Sequence, residues 1–245
     1  MLNRPARRNA LSPQLLGLLR SALARADAEP SVHVICLTGA GEKAFCAGAD
    51  LAAAAEAAAD GFLAVHEGRR AYAELLAALP RLGKPVVACV NGAALAGGLG
   101  LLCACDFAVA ADDALFGTPE IDVGLFPFMA LAPLARVVGQ RQALLLAMTG
   151  RKIDAQEALR LGLVQRVVPR PELAEAAQAL CDELAAKSPA VLRLGKRAFY
   201  STLDLPYEAQ LEALSAQLSL GALTEDAAEG VAAFLEKRPP DWKGK

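Results

Sequence analysis

Four carboxylates interrupt otherwise apolar surroundings: Asp50 in KAFCAGADL, Asp106 in LLCACDF, and Glu120 and Asp122 in FGTPEIDVG. A carboxyl group set among apolar residues holds its proton more tightly, which suits it to proton transfer near neutral pH. Two glycine-bearing turns, KAFCAGAD (43–50) and NGAALAGGLG (91–100), each end a strand-like run and open a helical one. The first amides of a helix have no internal partner, so such turns offer N–H groups to negative charge. Two amides converging on one oxygen make an oxyanion hole for an enolate or a tetrahedral intermediate. Glycines also serve tight turns and close packing, and on spacing alone both readings stay open.

Other chemistries find less support. Of the two histidines, His33 lies in a strand-like run and His66 in a helical one, so neither is placed as a general base. A Ser-His-Asp triad or a two-histidine metal site is therefore not indicated. The six cysteines (36, 46, 89, 103, 105 and 181) sit mainly in apolar runs, as buried free thiols of a reducing compartment would. Cys103 and Cys105 have no second Cys/His pair to complete a metal set, so no metal is expected. A formal net charge of −2 gives no basic field for nucleic acid. The start MLNRPARRNALS lacks an apolar signal core, which points to a cytoplasmic protein.

The elements that must position these groups alternate. Residues 12–28 carry Leu15, Leu18, Leu19 and Leu23 at helical spacing behind Ser12 and Pro13. A strand is expected over 32–39, a helix over 62–79 and a strand over 86–90. A helix from about 97, the strands DFAVAAD and LFGT, helices over 130–147 and 154–161, and a strand over 163–168 follow. The remaining residues read as helices over 171–187, 190–202 and 206–220, leading into TEDAAEGVAAFLEKR. This alternation argues for an α/β fold of stacked βαβ or ββα turns, with a helical appendage that packs elsewhere. Pro85 to Cys105 is 21 residues without formal charge, long enough for a membrane span. Four glycines, Pro85 and Asn91 break that run, and a buried strand, an NG turn and a glycine-opened helix explain it with less strain. No membrane association is expected.

NRPARRNALS, KAFCAGADL, KPVVACVNGAALAGGLGL, FGTPEIDVGLFP, TGRKIDAQEALRLGLVQRVVP and TEDAAEGVAAFLEKRPPDW resemble, in order and over nearly the whole chain, the crotonase superfamily, the enoyl-CoA hydratase/isomerase family. The resemblance implies a crotonase-like spiral of stacked ββα units over 1–170 that binds an acyl-CoA. It also implies a helical C-terminal trimerisation region over 171–245, in homotrimers or hexamers built as dimers of trimers. No cofactor is implied, since coenzyme A is part of the substrate. The matching oxyanion-hole amides are those of Ala49 and Gly97, and the matching carboxylate is Glu120. Arg7, Arg8, Ala47, Gly48, Asp50, Gly98, Gly100, Pro119, Phe128 and Lys237 become candidates for substrate or CoA contacts, Lys237 across a subunit interface. Members of the family also carry a first strand before the block matching NRP. Here either the native start lies further upstream or an edge strand is missing, and an unpaired edge is costly unless covered.

The resemblance also carries departures. Hydratases of the family hold a water between two glutamates, and the second closes the glycine helix at the position of Gly100. Their glycine-rich turn is replaced by PFMALAPLAR (127–136), and Phe128 stands where dienoyl-CoA isomerases carry an aspartate. One carboxylate with an oxyanion hole still suffices to move a proton from C2 to C4 of a 3-enoyl-CoA. A single-glutamate Δ3,Δ2-enoyl-CoA isomerase is thus the leading expectation. A hydratase with a non-standard water site is the alternative, and a catalytically weak acyl-CoA-binding protein a second one. Asp122 substitutes as a second acid only if residues two apart share a face, as in a strand.

Overall fold

The computed structural model describes residues 1–59 and 61–245. Ser12 and Pro13 open α1 (Pro13–Ala28) as expected, the serine hydroxyl accepting the Leu15 amide and Leu15, Leu16, Leu19 and Leu23 forming its buried stripe. Three turns of one pattern follow. The first contains β1 (Ile35–Thr38), β2 (Ala44–Cys46), α2 (Leu51–Ala59) and α3 (Phe62–Ala78). The second contains β3 (Val86–Val90), β4 (Ala93–Leu95) and α4 (Gly97–Cys103). The third contains β5 (Phe107–Ala111), β6 (Phe116–Gly117), a 3-10 turn over Pro119–Val123 and α5 (Phe128–Val138). Then come α6 (Gln140–Thr149), β7 (Lys152–Ile153), α7 (Ala155–Arg160) and β8 (Arg166–Val168).

The first strand of every turn joins one sheet, ordered β1-β3-β5-β8 and parallel throughout. The second joins another, ordered β2-β4-β6-β7, in which β6–β7 is antiparallel. The chain therefore climbs by one strand in each sheet per turn, the spiral of ββα units. β3, VVACV, is buried along its whole length, as a central parallel strand covered on both faces must be. The uncharged run 85–105 resolves into β3, β4 and α4, and among the described residues no helix is long and apolar enough to cross a membrane. At the edge of the first sheet, Leu2 bridges to Gly39, donating to the Thr38 carbonyl and accepting from Ala40.

Several expectations are corrected. The helix over 130–147 is two helices, because Gly139 at φ +79° breaks the ladder between α5 and α6. The strands begin later than the runs that announced them, at Ile35 and Arg166, where their partners Val86 and Val109 begin to pair. Cys36 is exposed, whereas the other five thiols are buried.

α8 (Leu173–Ala185), α9 (Pro189–Thr202), α10 (Tyr207–Gly221) and α11 (Glu225–Glu236) complete the chain. The boundary expected at 170/171 falls just before α8, but α8 covers the second face of the first sheet. Its Leu173, Ala176 and Ala177 pack on Cys89, Val109, Ala111 and Val168. α9 is bound in by a buried ion pair, Lys196 Nζ to Asp106 Oδ2 at 2.6 Å. Tyr200 Oη and the Val86 amide donate to the same carboxylate at 2.9 and 2.7 Å. Asp106 is thereby committed to holding a helix onto the sheet and is withdrawn from the list of chemical candidates.

Candidate functional site

The two glycine turns meet. The register between β2 and β4 slips between Ala44 and Cys46, and β2 ends there, just before the Ala47–Asp50 turn. Gly48 sits at φ +90° with no room for a side chain: a Cβ there would stand 2.6 Å from Ala96 Cβ and 3.0 Å from the Gly97 nitrogen. Leu11 brackets the next residue, donating to the Gly48 carbonyl at 2.7 Å and accepting from the Asp50 amide at 3.0 Å. In a parallel bridge of this form the central residue's own amide faces the opposite side, so the exposed Ala49 turns its N–H away from Leu11. Ala96 is held at φ +54°, ψ −129°, a region non-glycine residues rarely occupy and one that costs about 1–3 kcal/mol. That conformation rotates the peptide leading into α4 and leaves the Gly97 N–H at the helix's open end. Neither the Ala49 nor the Gly97 amide donates to an acceptor among the described residues.

The third turn supplies the acid. Glu120 lies half-buried in the 3-10 turn after β6. Burial pushes its carboxyl above the usual carboxylate range, against a smaller opposing effect of its own backbone amide. Its Oε2 is buried without a partner, as is Oγ1 of the fully buried Thr118. Buried polar atoms are nearly always paired, so two orphans in one turn mark a place for chemistry. Asp122 is not part of it. A 3-10 turn has three residues per revolution, so positions two apart face different ways. Asp122 is exposed beside Gly150, where a Cβ would meet its Oδ1 at 2.9 Å. This geometry gives no support to Asp122 as a second acid.

Gly100 is closed from two sides. A Cβ there would lie 2.5 Å from Tyr72 Oη and 2.9 Å from both Cα and Cβ of Ala130. Tyr72 belongs to the buried stripe of α3 with Leu75 and Leu76, and its hydroxyl donates to the Gly97 carbonyl at 2.5 Å. Burial raises its phenol well above the usual range, and the nearby Glu120 carboxylate adds to that. A phenol and the backbone of α5 therefore occupy the place where a second carboxylate was found missing. Sequence reading singled out Gly100 and passed over Tyr72. The available signal was an aromatic with a polar tip on an apolar helix face, since such tips find partners when buried.

The other candidates divide. Gly98 is a packing glycine, because a Cβ on it would stand 2.1 Å from the Cys46 carbonyl oxygen. Asp50 has its carboxylate engaged by Arg4, a residue the sequence did not point to, at 2.8 Å. The hydrogen bond from Arg4 and the Ala53 amide hold the Asp50 carboxyl below its usual range, against desolvation. Arg7 and Arg8 are exposed, and Arg8 is tied to the first glycine turn through its carbonyl, which accepts the Ala47 amide at 3.0 Å. Ala47 is half-buried there, and Pro119 is half-buried next to Glu120. Phe128 opens α5 largely exposed, tilted against Phe126. Lys237 is exposed in a left-handed conformation after α11, whose main packing partner is α9 rather than the three site turns. His33 lies outside β1 and His66 stacks on Phe62, both exposed.

Comparison with known proteins agrees with this architecture. The model of the enoyl-CoA hydratase/isomerase family matches residues 1–245. A 2,3-dehydroadipyl-CoA hydratase of Escherichia coli (strain K12) is 39% identical over 245 residues, covering 100% of this chain and 94% of the relative. The crystal structure of an enoyl-CoA hydratase from Bacillus anthracis superposes with a TM-score of 0.89 at 38% identity, over 100% of this chain and 94% of that one. The human enoyl coenzyme A hydratase domain-containing protein 3 superposes with a TM-score of 0.93 at 34% identity, over 98% of this chain and 95% of that one. With a matching family model along its entire length and the same spiral in its solved neighbours, the chain belongs to the enoyl-CoA hydratase/isomerase family of the crotonase superfamily.

Proposed function

We propose that the protein is a Δ3,Δ2-enoyl-CoA isomerase working with a single glutamate. One observation carries the reading: the side-chain space at Gly100, where family hydratases place their second acid, is filled by Tyr72 Oη and Ala130. In this reading the Ala49 and Gly97 amides hold the thioester oxygen of a 3-enoyl-CoA. The Glu120 carboxylate removes a proton from C2, the electron pair spreads over C2–C4 as a dienolate, and the same carboxyl returns the proton to C4. The product is the conjugated 2-enoyl-CoA, and Glu120 ends as it began. A carboxyl with a raised pKa both takes and gives the proton at neutral pH. The Arg8 segment, bonded to Ala47, is offered for the CoA moiety, with Lys237 of a neighbouring protomer.

The names of the relatives, a 2,3-dehydroadipyl-CoA hydratase among them, favour the second reading, a hydratase with a non-standard water site. The experiment supplies 3-enoyl-CoA and 2-enoyl-CoA separately and follows gain or loss of conjugation. Isomerisation abolished by Glu120→Gln, without hydration, is the expected result. Hydration without isomerisation overturns it in favour of the second reading, and binding of both without turnover makes the protein an acyl-CoA binder. Hydration that survives Glu120→Gln refutes the assignment of the base.

Assembly into a homotrimer or a dimer of trimers belongs to the same proposal. Its support is the apolar surface of the last helices, where Leu218, Leu223, Phe234 and Leu235 are each more than 70% exposed. A monomer rarely leaves so much apolar surface together. Beside Phe234 and Leu235, a cavity of about 520 Å³ opens between α9, α11 and Trp242.

A further inference from the structure

We propose that Tyr72 is a positioning residue for the oxyanion hole, its hydroxyl clamping the Gly97 carbonyl so that the Gly97 amide is held on the substrate oxygen. The segment it holds has little rigidity of its own. α4 is seven residues long, begins Gly-Gly-Leu-Gly, and follows Ala96 in a strained conformation that relaxes unless neighbours enforce it. Packing against Gly48 and Cys46 encloses the segment, and hydrogen bonds fix its peptides. Ala96 donates to the Gly117 carbonyl at 2.8 Å, and its own carbonyl accepts Leu99 and Gly100 at 3.0 and 3.3 Å. From α3, an element of the preceding turn, Tyr72 adds a bond to the Gly97 carbonyl at 2.5 Å.

α3 is fixed by Leu75 and Leu76 in the core, so the phenol transfers the rigidity of the first turn to the start of the second. A phenol has one proton, and here it is given to the Gly97 carbonyl. Tyr72 therefore does not act as an acid on the substrate. It is a neutral group beside the Glu120 turn, in space where a carboxylate would repel the dienolate. Gly97 carries the held carbonyl on one peptide and the oxyanion N–H on the other. An oxyanion donor acts only within hydrogen-bond range of the position where charge develops, so loosening Gly97 weakens the transition state more than substrate binding.

This inference rests on the oxyanion-hole part of the proposed function and not on the direction of the overall reaction. The test uses two probes that need no net turnover. The absorption of bound 2,4-hexadienoyl-CoA shifts to the red in proportion to the polarisation of its thioester carbonyl. Exchange of the C2 protons of butyryl-CoA in D2O, followed by NMR, reports enolate formation by Glu120. Tyr72→Phe, checked by its thermal transition, is expected to reduce the red shift and slow the exchange about 10-fold or more, a fraction of the loss on deleting an oxyanion donor outright. The dissociation constant for hexadienoyl-CoA is expected to stay within about 3-fold, since uniform binding is untouched.

Replacing Tyr72 by 3-fluorotyrosine keeps the donor and is expected to retain both signals. Glu120→Gln is expected to lose exchange and keep the red shift. Red shift and exchange at wild-type levels in Tyr72→Phe overturn the proposal, as does equal loss in the fluorotyrosine protein. A wild-type enzyme that hydrates but does not isomerise overturns the isomerase reading and leaves this test standing. A wild-type complex without a red shift overturns the oxyanion hole and this inference with it.

Discussion

The crowding at Gly100 makes a quantitative prediction for Gly100→Ala. In a helix the substitution alone favours the folded state by about 0.8–1.0 kcal/mol. Against it stands overpacking: the new Cβ would lie 2.5 Å from Tyr72 Oη and 2.9 Å from Ala130 Cα. The phenol escapes only by giving up its bond to the Gly97 carbonyl, a loss of about 0.5–1.5 kcal/mol. The Ala130 contact is to backbone and yields only by moving α5, within the range of about 1–3 kcal/mol found for overpacked cores. Net destabilisation of about 0.5–3.5 kcal/mol is expected. In a Tyr72→Phe background the hydroxyl contact is absent, and Gly100→Ala is expected to cost about 1 kcal/mol less, a coupling typical of touching residues. Urea unfolding of the four proteins at one protomer concentration measures this, provided the m-value is unchanged. A neutral or stabilising Gly100→Ala, or zero coupling to Tyr72→Phe, refutes the claim that the two side chains compete for one space.

Other expectations follow from the same geometry. Because burial raises the Glu120 carboxyl from 4.5, its proton is held more tightly folded than unfolded, so its contribution to stability is lost as pH rises from 4.5 through the raised pKa. Glu120→Gln should flatten that part of the stability profile, while wild-type C2 exchange should rise with pH over a range above that of an ordinary carboxylate; an unchanged stability slope in the variant contradicts the burial argument. Lys196→Met leaves the buried Asp106 charge without its cation and is expected to cost about 3–5 kcal/mol, much of it recovered by adding Asp106→Asn. Denaturation midpoints check this, and a mild single variant counts against it. Phe234→Asp, on the exposed face of α11, is expected to lower the mass measured by light scattering without altering the far-UV spectrum; an unchanged mass argues that this face is not the interface.

Much of this was legible in the residues because it is local. VVACV followed by NG reads as a buried parallel strand and a turn, and that is how β3 leads into β4. Glu120 stood out as a charge in an apolar run, and the structure leaves its Oε2 buried and unpaired. What was illegible depends on partners remote in the chain. Asp50 looked free until Arg4 was seen against it, and Asp106 looked chemical until Lys196 arrived from 90 positions away. The meaning of Asp122 turned on whether its segment was a strand or a 3-10 turn, a choice that FGTPEIDVG leaves balanced. Tyr72 gave no sign of its connection to Gly97, 25 positions on, because one polar tip on an apolar helix face has many possible partners.

The climb of the chain through two sheets also sets the order in which the proposed site is assembled. Ala49 belongs to the first turn, Gly97 to the second and Glu120 to the third, and α5 closes the space beside Gly100 from the far side. During synthesis from the N-terminus, the amides emerge long before the carboxylate, and the wall behind them emerges last. No fragment ending before Val138 contains all the elements of the proposed site. Recombination that swaps a single turn between relatives would exchange one of the three proposed site residues while leaving both sheets continuous.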